Sequence, residues 1–477
     1  MWSRLSLCAV TVTAVIGCSS ESSSPPDPLA PLDSVSGLAD VSADLREVLE
    51  HGTLPGACAK LQSDDRLSRL RCGKEMFFYE SFGMAGAPTS LVQFLIDNFP
   101  DEIGPGFSKL GLITDPDSPR HLPLGLVKTA KLGGKIDALA FSCASCHFGQ
   151  LPDGRYAVGA PNVRYKYGQQ ILALLAFPEV ALQGPGKHDA TVLSVLAPMV
   201  QRFQSDASLK NKLLLTLLPF ALSGVTPITL SVEGEKNCAA WAPGTMDFLM
   251  EPLPINDGVH IVSRIPALWE LPSDHEIQTS GMTHAMLGWG GNVTSLMRFC
   301  SAFVAFGGGR SADWPESKLA PLAEYLYSLR RPRNPTPPSV EQAARGRALF
   351  ADKGCLACHS GPRGSGKRVY SYEEIGTDPA MARWLDPSLS GETCCGAPVA
   401  AGEHLTHGIK SPRLTGAWAF GRFLHNGAVA SLEELFCLDR TRPKRTDAPF
   451  GDQGHHQTCE GLDPDDKRAL IAYLLAN

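Results

Sequence analysis

The chain has 477 residues, of which 43% are hydrophobic and 19% charged, so it can form a folded core and is not disordered throughout. This length is sufficient for two or three domains. A net charge of −6 at pH 7 argues against a nucleic-acid-binding protein, which would carry a basic domain.

The amino terminus is predicted to be an export signal. Arg4 precedes an apolar run at residues 5–16 that is too short to cross a bilayer as a helix. The V-I-G-C sequence that ends at Cys18 resembles the lipobox of bacterial lipoproteins, in which cleavage leaves an acylated cysteine. We therefore predict a signal peptide at residues 1–17 and lipidation of Cys18. An ordinary secretory peptide that is cut elsewhere is the alternative.

Residues 18–42 are predicted to be a flexible tether, because residues 19–31 are rich in Ser and Pro and too polar to bury a core. The lipoprotein resemblance, with Ser19 and not Asp after the cysteine, favours the outer membrane. We expect a lipid-anchored protein on the periplasmic side of the bacterial cell envelope.

Cys143, Cys146 and His147 form a first C-x-x-C-H motif. Two thiols at this spacing can add to the two vinyl groups of one haem, while the adjacent histidine binds the iron as the proximal ligand. A zinc site and a thioredoxin-like redox pair are the alternatives. The flank at residues 133–141 is predicted to be a loop, with no helix like the one that precedes the second motif described below.

Residues 189–225 are apolar at helical spacing and predict a helical pair, broken near Pro198 and Pro219, that covers the first haem. Arg202, Lys210 and Lys212 interrupt the run and argue against a membrane span. The pair is either an extension of the core or a substrate lid.

A proline-rich linker at residues 334–338 predicts the boundary between an N-terminal haem domain at 43–333 and a C-terminal cytochrome c domain at 339–477. The second domain carries the second C-x-x-C-H motif, with Cys355, Cys358 and His359. A helix from Val340 contains Gly346, and a final helix starts near Asp463. In cytochromes c the first and last helices cross, and a small residue permits their close approach.

Two segments of the chain are similar. R-I-P-A-L from Arg264 is followed by W-G-G-N-V-T-S-L from Trp289, and K-S-P-R-L from Lys410 is followed by H-N-G-A-V-A-S-L from His425. Each pair lies after one motif, which indicates tandem duplication of one haem-binding unit, with chance similarity of two turn sequences as the alternative. The predicted fold is mainly α, with two cytochrome c-type haem domains in tandem and the first enlarged by helical insertions.

Eight of the 14 cysteines lie outside the signal, the lipidation site and the two motifs. An even number in an oxidising compartment predicts up to four disulfides, with free or metal-binding thiols as the alternative. The local pairs Cys58–Cys72 and Cys437–Cys459 are the plausible ones. We expect the adjacent Cys394 and Cys395 to bond elsewhere than to each other.

The two motifs and the paired P-x-L…G-x-V-x-S-L segments resemble the bacterial di-haem cytochrome c peroxidase superfamily, from about residue 120 onward. The sequences L-P-D-G-R from Leu151, G-A-P-N from Gly159 and L-H-N-G from Leu424 are most similar to the rubber-oxygenase branch. The resemblance implies that His455 is the sixth ligand of the second haem, with His456 as the neighbouring alternative. It also implies that Trp289 lies between the two haems and relays electrons or carries a radical, with an ordinary core tryptophan as the alternative.

The chain departs from the peroxidases at three points. No histidine occurs between His147 and His188, no methionine follows Met381, and the family segment P-G-R-x-D lacks its arginine at Thr245. These departures weaken the assignment as a peroxidase. The candidates to cap the first haem are Met246, Met282, Met286, His275 and His284.

The motifs and the resemblance together imply two covalently bound haems c, with His147 and His359 as proximal iron ligands. An iron with two protein ligands mainly transfers electrons, whereas an iron with an open face can bind peroxide or dioxygen. We therefore expect an oxidoreductase with chemistry at the first haem and electron transfer through the second. A pure electron-transfer cytochrome and a sensor or structural subunit are the alternatives. The expected partner is a redox protein or a small electron donor or acceptor.

Overall fold

The computed structural model describes residues 36–225, 232–247, 262–279, 288–290, 295–366, 368–381, 393–394, 397–398, 408–438, 442 and 450–476. The predicted signal peptide, Cys18 and most of the predicted tether lie outside these ranges. Cap candidates Met282, Met286 and His284 lie outside them as well.

Helices predominate over small sheets of two or three strands, which fits the expected mainly α class. The helices are α1 (Leu45–Val48), α2 (Arg66–Tyr79), α3 (Thr89–Asn98), α4 (Pro100–Ile103), α5 (Ala144–His147), α6 (Tyr167–Gln183), α7 (Ala190–Ser205), α8 (Ala207–Ser223), α9 (Val232–Ala240), α10 (Asp274–Thr279), α11 (Leu296–Phe306), α12 (Glu316–Ser328), α13 (Val340–Asp352), α14 (Leu356–His359), α15 (Tyr372–Ile375), α16 (Leu432–Leu435) and α17 (Pro464–Ala476).

The strands are β1 (Val41–Ser42), β2 (Ala87–Pro88), β3 (Leu126–Lys128), β4 (Ala138–Phe141), β5 (Phe148–Gln150), β6 (Tyr156–Val158), β7 (Thr245–Asp247), β8 (Val262–Arg264), β9 (Val369–Ser371), β10 (Thr393–Cys394), β11 (Ala397–Pro398) and β12 (Gly408–Lys410). All of their pairings are antiparallel: β1–β6–β5, β2–β4–β3, β7–β8, β9–β12 and β10–β11.

Helices α13 and α17 cross as predicted, with Gly346 at the crossing point. A Cβ atom added at Gly346 would lie 1.9 Å from the carbonyl oxygen of Ala469 and 2.8 Å from the Cβ of Tyr473. Only glycine permits this approach of two backbones. The residues from α13 to α17, 340–476, are called the second unit below.

The first motif has an equivalent crossing pair, which the sequence analysis missed. Helices α2 and α12 cross at Gly73, where an added Cβ would lie 2.1 Å from the carbonyl oxygen of Pro321 and 2.6 Å from the Cβ of Tyr325. The prediction that no such helix accompanies the first motif was therefore wrong. Helix α2 ends at Tyr79, and residues 80–142 are inserted between it and Cys143. The residues from α2 to α12, 66–328, are called the first unit.

Gly346→Ala is expected to destabilise the second unit by about 1–3 kcal/mol, the usual cost of overpacking a close contact. The added methyl group meets backbone at the crossing point, so it cannot be accommodated by a side-chain rotation. The measurement is the free energy of unfolding in urea. Ala348→Leu, at an exposed position of the same helix, is the matched control, and an equal loss in both variants would contradict the explanation.

The repeated segments lie against each other in equivalent positions. Hairpins β7–β8 and β9–β12 end at Arg264 and Lys410, the first residues of the two repeats. The Arg264 backbone N–H donates to the His425 carbonyl at 2.8 Å, and the Lys410 N–H donates to the Trp289 carbonyl at 3.0 Å. Because Arg264 aligns with Lys410 and Trp289 with His425, the two bonds are reciprocal, as at an interface with two-fold symmetry.

The predicted helical pair at residues 189–225 is present as α7 and α8. The break between the helices lies at Asp206, whose side chain accepts a hydrogen bond from the Ser208 N–H and caps α8. Pro198 and Pro219 lie inside the helices, so the prediction that they break the pair was wrong. Within the described part of the chain, no helix is both long and apolar enough to span a bilayer.

Two predicted irregular segments contain ordered structure. Residues 138–141 of the predicted loop form β4, because this mostly buried apolar run pairs with β2 and β3. The predicted tether extends too far, since Val41 pairs with Ala157 in β1–β6 and the Asp40 carboxylate accepts a hydrogen bond from the Tyr325 hydroxyl at 2.7 Å. The fold therefore begins before residue 42.

Both predicted local disulfides, Cys58–Cys72 and Cys437–Cys459, are confirmed. Cys238 and Cys300 are both buried, and Cys300 is a free thiol. Cys394 lies in β10, whereas Cys395 is outside the described residues, so the expectation for this adjacent pair stays a prediction.

Candidate functional site

The two motif histidines are held in the same way. His147 Nδ1 lies 2.9 Å from the Pro266 carbonyl oxygen, and His359 Nδ1 lies 2.6 Å from the Gly364 carbonyl oxygen. A carbonyl only accepts, so each Nδ1 carries the hydrogen and donates it. Burial lowers the pKa of His147 to about 4 and also lowers the pKa of His359, so both rings are neutral. Each Nε2 therefore keeps a free electron pair, as in a metal-bound imidazole.

The four motif cysteines are free thiols, in contrast to the two disulfide pairs. The one-turn helices α5 and α14 hold each pair of thiols beside its histidine. Burial raises the pKa of Cys143 and Cys146 to about 12, so these thiols are not thiolates at neutral pH. This disfavours a reactive redox pair, which needs a lowered pKa.

A structural zinc ion requires four converging ligands. Among the described residues, no group of three or more His, Cys, Asp or Glu side chains is placed to hold a metal ion. The donor set at each motif is instead two thiols and one imidazole, which suits a haem bound through two thioethers and one axial nitrogen.

His455 faces His359 across a gap. The two ring centroids are 6.3 Å apart, and the ring planes are inclined at 55°. Imidazoles on opposite sides of a metal ion, each about 2 Å from it through nitrogen, have centroids roughly 6 Å apart. The spacing therefore fits one metal ion between His359 and His455.

The surroundings of His455 also suit a ligand position. Its Nδ1 is inaccessible to solvent and has no hydrogen-bond partner, and burial followed by the neighbouring His359 lowers its pKa to about 3. Its backbone has φ of +59°, a conformation that non-glycine residues adopt rarely and mostly where surrounding structure imposes it. The alternative, His456, is exposed. The geometry thus favours His455.

Trp289 is buried where the two units meet. Its indole Nε1 donates to the Ser263 hydroxyl at 2.9 Å, and its ring centroid lies 6.5 Å from that of His425 in the second unit. The Arg264 guanidinium stacks on the indole at 4.9 Å. The position agrees with a residue between two cofactors, and its role as an electron relay stays a prediction.

The two described cap candidates for the first haem differ in their surroundings. His275 is exposed on α10, which disfavours it as a ligand. Met246 is buried in β7, opposite Ser263 of the strand that leads to Pro266. Met246 therefore remains the better of these two.

Several buried polar atoms have no hydrogen-bond partner among the described residues. They include Arg264 Nη1 at the boundary of the two units, and Arg442 Nε and Nη2 and His455 Nδ1 within the second unit. Such groups are rarely left unsatisfied in a folded protein, so they indicate an additional group with acceptor atoms. In the sequence, Arg264 and Lys410 are distinguished only as the first residues of the repeats, because burial is not visible there.

No family model matches the chain. The cytochrome-c peroxidase IdrP1 of Denitromonas iodatirespirans is 26% identical to it, over 34% of this chain and 58% of the peroxidase. The chain thus spans little more than half of that relative's length and shows weak homology to a cytochrome-c peroxidase. A structure of Kuenenia stuttgartiensis hydrazine synthase under 20 bar of xenon has a TM-score of 0.30 and 18% identity, over 50% of this chain and 77% of that one. A score this low carries no conclusion about the fold.

Proposed function

We propose that this protein is an exported, lipid-anchored di-haem cytochrome c that acts as an oxidoreductase on peroxide or dioxygen. The observation that carries the proposal is the repeated donor set, a neutral histidine with a free Nε2 beside two free thiols. The export signal and lipidation of Cys18 are predictions from the sequence. So are the place at the outer membrane and the likeness to rubber oxygenases.

The two sites are expected to divide the work. At the second site, His359 and His455 would both bind the iron and leave no position for a substrate. At the first site, His147 would be the protein ligand, and the iron would keep a position for peroxide or dioxygen. Haem bound at these positions supplies one-electron transfer and activation of peroxide or dioxygen. Trp289 lies between the two units, where its ring can carry an electron from one site to the other.

The weak homology to a cytochrome-c peroxidase supports an oxidoreductase. A pure electron-transfer cytochrome is the second candidate, favoured by the lack of any histidine between His147 and His188. In both cases the partner is a redox protein or a small electron donor or acceptor.

Electron paramagnetic resonance of the oxidised, full-length protein distinguishes these candidates. We expect one high-spin signal from the first haem and one low-spin signal from the second. Peroxide should change the high-spin signal of the first haem as soon as the solutions are mixed. The low-spin signal of the second haem should stay unchanged. Two low-spin signals that do not respond to peroxide or dioxygen would reject the enzyme and leave the electron-transfer cytochrome.

A further inference from the structure

Arg264 and Lys410 are buried cations at the boundary of the two units. Each is only 5% exposed. They occupy equivalent positions in the repeat, two residues before the proline of P-x-L. Arg413 of the second unit lies close to both, since its charge lowers the pKa of Arg264 and of Lys410. Three cationic side chains therefore lie close together in a region that is largely shielded from water.

Among the described residues, no carboxylate raises the pKa of Arg264 or Lys410, whereas the buried Glu270 raises that of Arg413 and partly offsets the lowering caused by burial. Within the same described part of the chain, Arg264, Lys410 and Arg413 form no ion pair with a carboxylate, and Arg413 Nη2 donates to the Ala267 carbonyl at 2.9 Å. The Arg264 guanidinium lies between the rings of Trp289 and Phe420, at 4.9 and 4.7 Å from their centroids. Its Nη1 has no acceptor.

A buried cation elsewhere in the protein is paired with a carboxylate of the chain itself. Lys74 is fully buried, and its ammonium lies 3.3 Å from the Asp40 carboxylate. A buried charge without a partner is costly, so such groups are normally paired. Burial, Arg413 and Arg264 together lower the pKa of Lys410 to about 7, and a nearby carboxylate would reverse that shift. The lack of a carboxylate at Arg264 and Lys410 among the described residues therefore indicates an additional anion at this cluster.

We propose that Arg264 and Lys410, assisted by Arg413, bind the propionate carboxylates of the two haems at the boundary between the units. This inference rests on the proposed function. The carboxylates of a covalently bound haem are anions that stay inside the protein, and arginine and lysine bind carboxylates through charge-assisted hydrogen bonds. Both cations lie close to the axial histidines. Arg264 is two residues from Pro266, whose carbonyl holds His147. Ser411, next to Lys410, accepts a hydrogen bond at 2.9 Å from the Gly366 N–H, two residues from Gly364, whose carbonyl holds His359.

The placement has a consequence for electron transfer. A positive charge near a haem favours the reduced iron, because reduction removes one positive charge from the site. Arg264 and Lys410 also lie at the backbone contacts that join the units, Arg264 with His425 and Lys410 with Trp289. Each cation is therefore expected to raise the potential of a haem and to order the boundary between the two sites.

The test is a spectroelectrochemical titration of full-length Arg264→Met and Lys410→Met, with attachment of two haems first verified by mass. Methionine keeps an apolar stem of similar length and removes the charge. In each variant we expect the ratio of reduced to oxidised haem at a fixed potential to fall about tenfold for at least one haem, equivalent to about 59 mV for one electron. Arg310→Met, which removes a cation whose side chain is 81% exposed, is the control and should leave both potentials unchanged.

Parental potentials in both variants, with two haems attached, would overturn the inference and leave the proposed function intact. Loss of haem from the parent chain would instead reject the proposed function. Arg264→Lys and Lys410→Arg keep the charge and should hold near-parental potentials if a methionine variant fails to fold. Large shifts in these charge-conserving variants would count against the inference. Potentials of the parent that depend on added inorganic phosphate would show that the cations bind a free anion, which would also overturn it.

Discussion

A variant with Cys143 and Cys146 replaced by alanine is expected to carry one covalently bound haem instead of two. The thioether bonds at that motif cannot form without its thiols, and the second motif lies in a separate unit with its own crossing helices. Cys355→Ala with Cys358→Ala should lose the other haem. Haem content is measured by intact mass and by absorbance after denaturation, when only covalently attached haem stays with the chain.

The matched control for these cysteine variants is Cys238→Ala, which removes a buried cysteine outside both motifs and should leave two haems in place. A Cys143→Ala, Cys146→Ala chain that still holds two haems through thioethers would contradict the assignment of the first motif. Loss of both haems from a chain that is shown to be folded would contradict the independence of the two sites.

His455→Ala is expected to open one face of the second haem while leaving the first unchanged. The ring centroids of His359 and His455 are 6.3 Å apart, which fits one iron between them. Without the His455 ring, that iron would keep a single protein ligand. The low-spin signal of that haem should be lost, and added imidazole should restore it. The measurement is the electron paramagnetic resonance spectrum of the oxidised protein, recorded with and without imidazole.

His456→Ala tests the neighbouring residue and should change neither signal, because His456 is exposed. If His455→Ala leaves the low-spin signal intact while His456→Ala removes it, the ligand assignment is wrong. A low-spin signal that survives in both variants would mean that another residue caps the second haem.

Short-range features of this chain could be predicted from the sequence. The two motifs join residues within five positions, and the disulfides Cys58–Cys72 and Cys437–Cys459 join residues 14 and 22 positions apart. The crossing of α13 with α17 was also accessible, because Gly346 lies on a helix that ends only three residues before Cys355. For the motifs, the disulfides and this helix crossing, residue spacing and helix signals in the sequence were sufficient for the prediction.

Features that depend on distant partners were missed. Gly73 precedes a methionine and a phenylalanine with the spacing that Gly346 has before Leu349 and Phe350, but an insertion separates it from the first motif. Pro198 and Pro219 were expected to break their helices, yet tertiary packing retains both helices around them. The break belongs to Asp206, which is a standard capping residue.

The cationic cluster shows a different limit. Arginine and lysine are normally solvated, so Arg264 and Lys410 looked ordinary in a single sequence. Their proposed role depends on burial and on the lack of a carboxylate partner for either residue within the described ranges, and both follow only from the packing of two units. The alignment of the repeats placed the two cations in equivalent positions, and the structure brings those positions together.

The most direct test of the account is the intact mass of the mature, full-length protein from a host that attaches haem to exported cytochromes. The account predicts the mass of the chain plus two haems, with peptide mapping that places one on Cys143 and Cys146 and the other on Cys355 and Cys358. A folded chain from that host whose motif cysteines are unmodified, or joined to each other as disulfides, would contradict it.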